Sequence, residues 1–329
     1  MRILVTGGAG FIGSNIVESL LKDERVSYVR VLDNLATGSV DNIEEFYSHS
    51  QPAYGTGRFE FVQGDIRDYA ICLQACDSID LVCHQAALGS VPRSINDPLT
   101  TNEVNITGTL NIFTAAKENK VKRLVYAASS STYGDHPGLP KVEDKIGKPL
   151  SPYAITKYVN ELYAEVFADL YGMEFIGLRY FNVFGKKQSP KGPYAAVIPL
   201  FIEAILKDQS PTINGDGEHS RDFTHVTNAV EANILSLFTS NKKAVNQVYN
   251  IAYGRQTSLL QLFEYLKRIS RSNVEPLYVT ERPGDVKHSL ADISKAKNLL
   301  DYDPKISVEE GLKKTFDWYK KKAEDKAKV

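Results

Sequence analysis

Two side chains near the middle of the chain have the types and spacing of a proton-transfer pair. Tyr153 and Lys157 are four residues apart, so on a helix both lie on one face about one turn apart. A tyrosine ionises near pH 10, and a neighbouring ammonium lowers that pKa and makes the phenolate usable as a base. Ser129, Ser130 and Ser131 lie about two dozen residues upstream, where one hydroxyl could share a proton with the tyrosine. The same spacing is common on exposed helices and serines are common turn formers, so the surrounding elements decide whether these groups meet.

A glycine-rich turn follows the first apolar run of the chain. Gly7, Gly10 and Gly13 have the spacing GxxGxxG, and glycines at such a turn let the backbone approach a pyrophosphate at a helix N-terminus. Asp33 follows Gly13 by twenty residues, where an acidic residue hydrogen-bonds the adenosine ribose and repels a 2′-phosphate. The pattern predicts NAD rather than NADP, and a positive nicotinamide would further lower the pKa of Tyr153.

Other cofactor-binding candidates follow apolar runs that read as strands. The carboxyl ends of parallel strands form the edge at which an open α/β sheet holds its ligand. Together with Tyr153 and Lys157, the candidates beyond the glycines and Asp33 are Phe11, Ile12, Asn34, Asp65, Ile66, Gln85, Ala86 and Ala87.

The elements that must position these residues alternate along the first half of the chain. Near-continuous apolar runs at 3–6, 28–32, 59–63, 81–85, 124–128 and 175–179 predict strands, and stretches at 14–22, 99–119 and 154–171 predict helices. This alternation predicts an α/β fold with a Rossmann-type, doubly wound parallel sheet. We expect residues 1–181 to form the NAD-binding domain, rejoined by a segment around 221–253.

After Asn182 the alternation of strands and helices ends. Loops rich in Gly and Pro follow, with predicted helices at 198–207 and 258–269. We expect residues 182–329 to form mainly a smaller, partly interleaved α+β substrate domain. With 39 Lys and Arg against 40 Asp and Glu, the charge favours neither a nucleic acid nor a membrane as partner. The three cysteines match neither a redox pair nor a zinc site, so no metal is expected. With no signal segment recognised, we expect a cytoplasmic protein.

The sequence resembles the extended short-chain dehydrogenase/reductase family over nearly its full length. Within that family it is most similar to the UDP-N-acetylglucosamine 4-epimerases of bacterial and archaeal polysaccharide pathways. The motifs that carry the likeness are the glycine turn from Thr6 to Gly13, the serine run ending in Tyr133-Gly134, Tyr153-x-x-x-Lys157, Arg282-Pro283-Gly284-Asp285, and the runs 87–94, 127–137 and 177–185.

The resemblance implies a role for each matching residue. Tyr153 would be the base, Lys157 would hold the nicotinamide ribose, and Ser129 would be the catalytic serine, with Ser130 as its nearest competitor. Asn182, Arg221 and Arg282 would bind the sugar diphosphate, Asp285 the uridine ribose, and the loop 212–217 the uracil. The implied substrate-binding residues are Ser90, Arg93, Ser129, Ser130, Tyr153, Asn182, Ala195, Val197, Asn214, Arg221, Arg282, Asp285 and Ser289.

Several reactions begin with oxidation at C4 of the sugar. A 4,6-dehydratase or a uronate decarboxylase of this family carries an acidic residue just after the serine position, whereas Ser130-Ser131-Thr132-Tyr133 offers none before Gly134. The resemblance therefore implies a 4-epimerase that passes through a 4-keto sugar. A non-catalytic protein that binds NAD or a nucleotide sugar is the alternative from another class.

The substrate is implied by the residue seven positions after Arg282. Galactose-restricted relatives carry a tyrosine there, and Ser289 would leave room for an N-acetyl group at C2, although a turn serine is the plainer interpretation. The expected substrates are UDP-N-acetylglucosamine and UDP-N-acetylgalactosamine, together with UDP-glucose and UDP-galactose. A UDP-N-acetylhexosaminuronate or UDP-glucuronate is the runner-up, since Arg93 or Lys287 could meet a carboxylate. Helices 99–119 and 154–171 resemble those that pair in a four-helix homodimer interface.

Overall fold

The computed structural model describes residues 1–47, 57–191, 195–280 and 287–327. Within these ranges the strands are β1 Arg2–Thr6, β2 Tyr28–Asp33, β3 Phe59–Gln63, β4 Leu81–His84, β5 Arg123–Ser129, β6 Glu174–Tyr180, β7 Val183–Phe184, β8 Thr212–Asn214, β9 Ser220–Arg221, β10 Thr224–His225, β11 Gln247–Ile251, β12 Thr257–Ser258 and β13 Leu277–Val279. The α-helices are α1 Phe11–Lys22, α2 Glu44–Tyr47, α3 Tyr69–Cys76, α4 Val91–Asn96, α5 Pro98–Asn102, α6 Thr109–Glu118, α7 Pro152–Tyr171, α8 Val197–Leu206, α9 Val226–Phe238, α10 Leu259–Ser270, α11 Ser294–Leu300 and α12 Val308–Ala327.

Seven strands form one parallel sheet in the order β11-β6-β5-β4-β1-β2-β3. The order reverses between β1 and β4, which lie side by side with Thr6 opposite His84. Such a reversal opens a crevice at the carboxyl ends of the strands, where doubly wound folds bind ligands. The predicted fold class is therefore confirmed, and all six predicted strands are present.

Alternate residues of each strand point to opposite faces of the sheet, and each face is covered by helices. On one face, Ile3 and Val5 of β1 pack with buried residues of α1 and α9. On the other face, Leu4 packs with α3, α6 and α7. Burial on both faces explains why the strands read as continuous apolar runs.

Two features of the sheet region differ from the predicted element list. Strand β11 pairs with β6, and α9 contacts α1, yet neither element was predicted as such; both lie in the segment around 221–253. The predicted helix 99–119 is divided, because a π-helical turn at Glu103–Gly108 separates α5 from α6.

Helix α7 begins where Pro152 follows Ser151, whose side chain accepts a hydrogen bond from the Ala154 amide.

A smaller core lies in the second half of the chain. Helices α8, α10 and α12 pack around Phe201, Phe263 and Leu312, and β8 pairs with β13 beside them. In the described ranges no helix is long and apolar enough to span a membrane. The same ranges hold no group of three or more His, Cys, Asp or Glu side chains arranged to bind a metal ion.

Candidate active site

A cleft of about 470 Å³ runs along the carboxyl ends of the central strands. Its size is typical of a small-molecule site. The sequence-predicted residues in its lining are Gly7, Gly10, Phe11, Ile12, Gly13, Asp33, Asn34, Ile66, Gln85, Ala86, Ala87, Ser129, Tyr153, Lys157 and Asn182.

The glycine turn leaves space for a phosphate at the start of α1. A Cβ atom on Gly7, where φ is +69°, would lie 2.6 Å from the Ala86 nitrogen, and one on Gly13 would lie 2.1 Å from the Gly7 oxygen. Side chains at these two positions are therefore excluded. Gly10 precedes α1, whose first turn has no side-chain cap, so its amides are available to an anion. This cradle fits the pyrophosphate of a dinucleotide.

The acidic residue that follows β2 is held at the edge of the cleft. Asp33 is buried, and its carboxylate accepts hydrogen bonds from the amides of Ala9 (2.9 Å) and Leu35 (2.8 Å). Burial raises the pKa of Asp33, while these backbone hydrogen bonds lower it. The arrangement fixes an acceptor at the position expected for an adenosine ribose.

Asp65 supports the cleft but is not among the described lining residues. Its carboxylate pairs with Arg67 at 2.8 Å and accepts a hydrogen bond of 2.8 Å from the Asn34 side-chain amide. Hydrogen bonding to Arg67 lowers the pKa of Asp65 to about 2, although burial raises it. Asp65 thus orients Asn34, while Ile66 and Arg67 contact the cleft.

The proton-transfer residues meet at the ends of β5 and α7. Tyr153 and Ser129 both line the cleft, and the Ser129 oxygen accepts hydrogen bonds from the Ser131 amide (3.1 Å) and hydroxyl (2.9 Å). Because Ser129 already accepts twice, its own proton can be donated to the Tyr153 oxygen. Ser130 is absent from the described lining of the cleft.

The electrostatics of this group differ from what the spacing alone suggests. Burial raises the pKa of Tyr153, and the hydrogen bond with Ser129 lowers it by less. Lys157 is buried and donates to the Ala127 carbonyl at 2.9 Å. Burial lowers the pKa of Lys157 to about 8, against the charge of Glu161, which raises it. The lowering of the Tyr153 pKa expected from Lys157 together with a positive nicotinamide stays a prediction.

The candidate sugar-binding residues are divided among several segments. Asn182 lines the cleft with φ at +37°, and its side-chain amide reaches the Asp222 carbonyl at 3.5 Å. Ser90 has φ at +103° and accepts a hydrogen bond of 3.3 Å from the Arg93 amide at the start of α4. Of that loop, Gly89 contacts the cleft, whereas Ser90 and Arg93 are not in its described lining.

Arg221 and Ser289 lie on neighbouring segments. The Ser289 amide donates to the Ser220 carbonyl at 3.1 Å, and the Arg221 guanidinium donates to the carbonyls of Ser220 (3.0 Å) and Lys287 (3.2 Å). Neither side chain is in the described lining of the cleft, and the same holds for Ala195, Val197 and Asn214. Arg282 and Asp285 lie outside the described residues.

Sequence reasoning missed five polar residues of the lining, Thr37, Arg67, Thr100, Tyr180 and Gln188. The Tyr180 hydroxyl donates to the Gln85 side chain at 3.1 Å and accepts from Asn233 at 2.8 Å. Its place at the end of β6, two residues before Asn182, is a signal that could have found it. Gln188 lies in a loop with no such signal.

Comparison with known proteins places the chain in a family. Residues 3–252 match the model described as "NAD dependent epimerase/dehydratase family". A "Putative UDP-glucose 4-epimerase" of Methanocaldococcus jannaschii is 39% identical over 97% of this chain and 98% of its own length.

Two solved structures show the same fold and the ligands bound to similar enzymes. The UDP-N-acetylglucosamine 4-epimerase of Methanobrevibacter ruminantium, in complex with UDP-N-acetylmuramic acid, is 40% identical with a TM-score of 0.89 and covers 98% of each chain. The UDP-glucuronic acid 4-epimerase of Bacillus cereus, with UDP-glucuronic acid and NAD, is 33% identical with a TM-score of 0.87 and covers 98% of this chain and 99% of its own. These findings confirm the predicted family, the NAD cofactor and the epimerase class of enzyme. They argue against the alternative of a non-catalytic protein that binds NAD or a nucleotide sugar. The chain belongs to the NAD dependent epimerase/dehydratase family.

Proposed function

We propose that this enzyme interconverts UDP-N-acetylglucosamine and UDP-N-acetylgalactosamine by inverting C4, and that it also accepts UDP-glucose and UDP-galactose. The grouping of Tyr153, Ser129 and Lys157 on the wall of one cleft carries the proposal, because it offers a base and its partners at the end of the parallel sheet. The absence of a carboxylate at Ser130, Ser131 and Thr132 supports epimerisation over elimination.

In this proposal Tyr153 removes the proton of the C4 hydroxyl. Ser129 donates to the tyrosine oxygen and stabilises the phenolate that accepts this proton, and Lys157 adds a positive charge beside the same site. The glycine turn and Asp33 would hold NAD, which would supply the hydride acceptor and donor for the inversion at C4. Tyr153 then returns the proton to the inverted hydroxyl.

The proposed substrate rests on the small side chain at position 289. Ser289 is held beside β9 by its backbone hydrogen bond to Ser220, and Arg221 on the same strand supports a role in binding the diphosphate. A hydroxymethyl group in that position leaves room for an acetamido group at C2. The similar enzyme from Methanobrevibacter ruminantium is described as acting on UDP-N-acetylglucosamine.

A UDP-uronate is the second candidate substrate. The similar Bacillus cereus enzyme holds UDP-glucuronic acid, and the candidate cations of this chain for such a carboxylate are Arg93 on α4 and Lys287 beside Arg221. Lys287 is exposed and its carbonyl accepts from Arg221 at 3.2 Å, so a carboxylate bound there would stay largely in water. That weaker electrostatic gain places the uronate second.

The deciding experiment incubates the purified protein separately with UDP-N-acetylglucosamine, UDP-glucose, UDP-glucuronate and UDP-N-acetylglucosaminuronate. Epimer formation is followed by anion-exchange chromatography and proton NMR. We expect conversion of the N-acetylated sugar and of UDP-glucose with no net change in NAD. Faster conversion of either uronate would move the assignment to the second candidate, and stoichiometric NADH formation would mark a dehydrogenase.

The division of the chain belongs to the same proposal. Residues 1–181, rejoined by the segment around 221–253, would bind NAD, and residues 182–329 would mainly bind the UDP-sugar. Arg282 and Asp285 would complete the diphosphate and uridine contacts, as the family resemblance implies.

A further inference from the structure

The loop after β7 carries a buried lysine in an unusual backbone conformation. Lys187 has φ at +68°, a region that non-glycine residues adopt at some cost in free energy unless their surroundings hold them there. Its side chain is only 9% exposed, although lysine is among the residues least often buried. The contacts of Lys187 must therefore stabilise both its backbone conformation and its buried ammonium.

Lys187 connects this loop to the segment between β2 and β3. Its ammonium donates to the Asn42 carbonyl at 2.8 Å and to the Glu45 carboxylate at 3.1 Å. The same ammonium lies 5.1 Å from the centre of the Phe46 ring, within the range of a cation–π contact. One side chain thus contacts three residues of the segment 42–46.

Lys186 connects the loop to α1. Its ammonium donates to the Glu18 carboxylate at 2.6 Å, and its carbonyl accepts from the Asn15 side chain at 3.3 Å. Burial raises the pKa of Glu18, but hydrogen bonds from Lys186 and Lys22 outweigh burial and lower it to about 2. The carboxylate is therefore charged at any physiological pH.

Both connections lead to the wall of the cleft. Ala36 and Thr37 line the cleft, and so does Gln188, the residue after Lys187. Asn42 donates to the Ala9 carbonyl of the glycine turn at 2.9 Å. The segment 36–46 is thus attached to the glycine turn on one side and to Lys187 on the other.

We propose that Lys186 and Lys187 form a clasp that retains the bound dinucleotide by tying the wall segment 36–46 and helix α1 to the loop that carries Gln188. The proposal rests on the assignment of this cleft to NAD. The dinucleotide would lie between the glycine turn and this wall, and in this proposal it leaves when the wall moves outward. That movement breaks the hydrogen bonds of a poorly hydrated ammonium.

The test compares NAD retention in the wild-type holoenzyme and in Lys187→Met, which keeps the length of the side chain and removes its charge. NAD content is measured by chromatography of the acid-released nucleotide. The exchange of bound NAD with excess deuterated NAD is followed by mass spectrometry. We expect exchange to become about tenfold to a hundredfold faster, as loss of hydrogen bonds to a charged group implies, and Lys186→Met to change it in the same direction.

Lys207→Met is the matched control, because Lys207 forms an ion pair of 2.8 Å with Glu203 on α8 and is outside the described lining of the cleft. The clasp is overturned if Lys187→Met folds normally in saturating NAD, by circular dichroism and thermal unfolding, and exchanges NAD at the wild-type rate. Should Lys187→Met fail to fold, Glu45→Gln decides, since faster exchange supports the clasp and an unchanged rate overturns it. Wild-type protein that binds no NAD at all would instead contradict the proposed function.

Discussion

Ser129 lies where β5 ends and a short 3-10 turn, Ser130–Tyr133, begins. Its extended backbone directs the hydroxyl to the Ser131 amide, and Ser129 lines the cleft with Tyr153, whereas Ser130, one residue later, is absent from the described lining. Three consecutive serines therefore have different environments. The choice between Ser129 and Ser130 depends on this turn and not on the residue type.

Tyr153→Phe tests the proposed base. Without the phenol oxygen the C4 hydroxyl has no proton acceptor, and we expect kcat to fall by about 10²–10⁴, measured as epimer formation from UDP-N-acetylglucosamine. NAD should stay bound, because the glycine turn and Asp33 are unchanged. Tyr158→Phe is the matched control, since Tyr158 lies on the same helix but lines a different cavity. Wild-type turnover in Tyr153→Phe would show that another group is the base.

Ser289→Tyr tests the proposed specificity. If the small side chain admits the acetamido group, the tyrosine should abolish turnover of UDP-N-acetylglucosamine while turnover of UDP-glucose survives. The preference of the wild type for the N-acetylated sugar over UDP-glucose should be weak. An open pocket loses only contacts worth about 1–3 kcal/mol when it holds the smaller sugar. The measurement is kcat/KM for both substrates in both proteins. Unchanged use of the N-acetylated sugar by Ser289→Tyr would reduce Ser289 to a turn residue.

At the scale of elements, the end of α9 depends on a residue from the sheet. The guanidinium of Arg123, at the start of β5, donates to the carbonyls of Ser236 (3.1 Å), Leu237 (2.9 Å) and Thr239 (2.9 Å). These are carbonyl groups that a helix C-terminus leaves without partners. Arg123 also pairs with Glu174 at 2.6 Å, so one buried cation joins α9 to β5 and β6.

Arg123→Met should destabilise the fold, because it leaves the carbonyl groups at the end of α9 without their donor and leaves the Glu174 carboxylate with only the exposed Lys242 as an ion-pair partner. We expect a loss of about 3 kcal/mol in the free energy of unfolding, as for other broken buried pairs, measured by urea titration.

Lys242→Met provides the comparison, since Lys242 pairs with the same Glu174 at 2.7 Å but is 78% exposed. Lys242→Met should lower the free energy of unfolding by less than about 1 kcal/mol. Equal losses for the two variants would mean that the capping of α9 contributes nothing.

At the scale of the whole molecule, stability should depend on pH through a buried histidine. His84 hydrogen-bonds Thr6 at 2.7 Å and Thr109 at 3.0 Å. Burial, together with the charge of Lys157, lowers the pKa of His84 to about 3. Between about pH 6.5 and pH 3 the unfolded chain therefore binds a proton at this residue that the folded protein does not.

Stability should therefore fall as the pH falls through this window, by on the order of 1 kcal/mol per pH unit from His84. Urea titrations at pH 7 and pH 5 measure the difference. In His84→Gln the part of the difference due to this residue should disappear. An identical pH dependence in the variant and the wild type would assign the effect to other groups.

Helix α7 has an exposed apolar stripe that supports the proposed homodimer. Ile155, Leu162, Val166 and Leu170 are 50%, 44%, 48% and 68% exposed and recur at helical spacing, and Leu99 of α5 is 78% exposed. Contiguous exposed apolar side chains mark an interaction surface. Pairing of this stripe with its copy would form a closed, symmetric interface.

If the chain forms the expected homodimer through this stripe, Leu162→Glu should make it monomeric, because the substitution would bury an unpaired charge at the centre of the interface. Light scattering at micromolar concentration measures the mass. Leu277→Glu is the control, since Leu277 is 58% exposed on β13 at a distance in sequence from either helix. A wild-type protein that is already monomeric would refute the interface.

Much of the fold and part of the site follow from local sequence. Continuous apolar runs predicted six strands because burial on both faces requires it, and the glycine turn was recognisable because Gly7 and Gly13 occupy positions where no side chain fits. The four-residue spacing of Tyr153 and Lys157 needs only a helix to align them. These features depend on neighbours in the chain, so the chain itself carries their signal.

Other features depend on contacts between residues distant in sequence, and only the tertiary structure decided them. Strand β11 joins the sheet through its pairing with β6, a partner more than sixty residues away in the chain. The pKa of Tyr153 is raised because the fold excludes water from its side chain, and the spacing of residues in the sequence carries no information about that burial. Lys186 and Lys187 read as an ordinary basic loop in the sequence, and their partners Glu18 and Glu45 lie more than a hundred residues away.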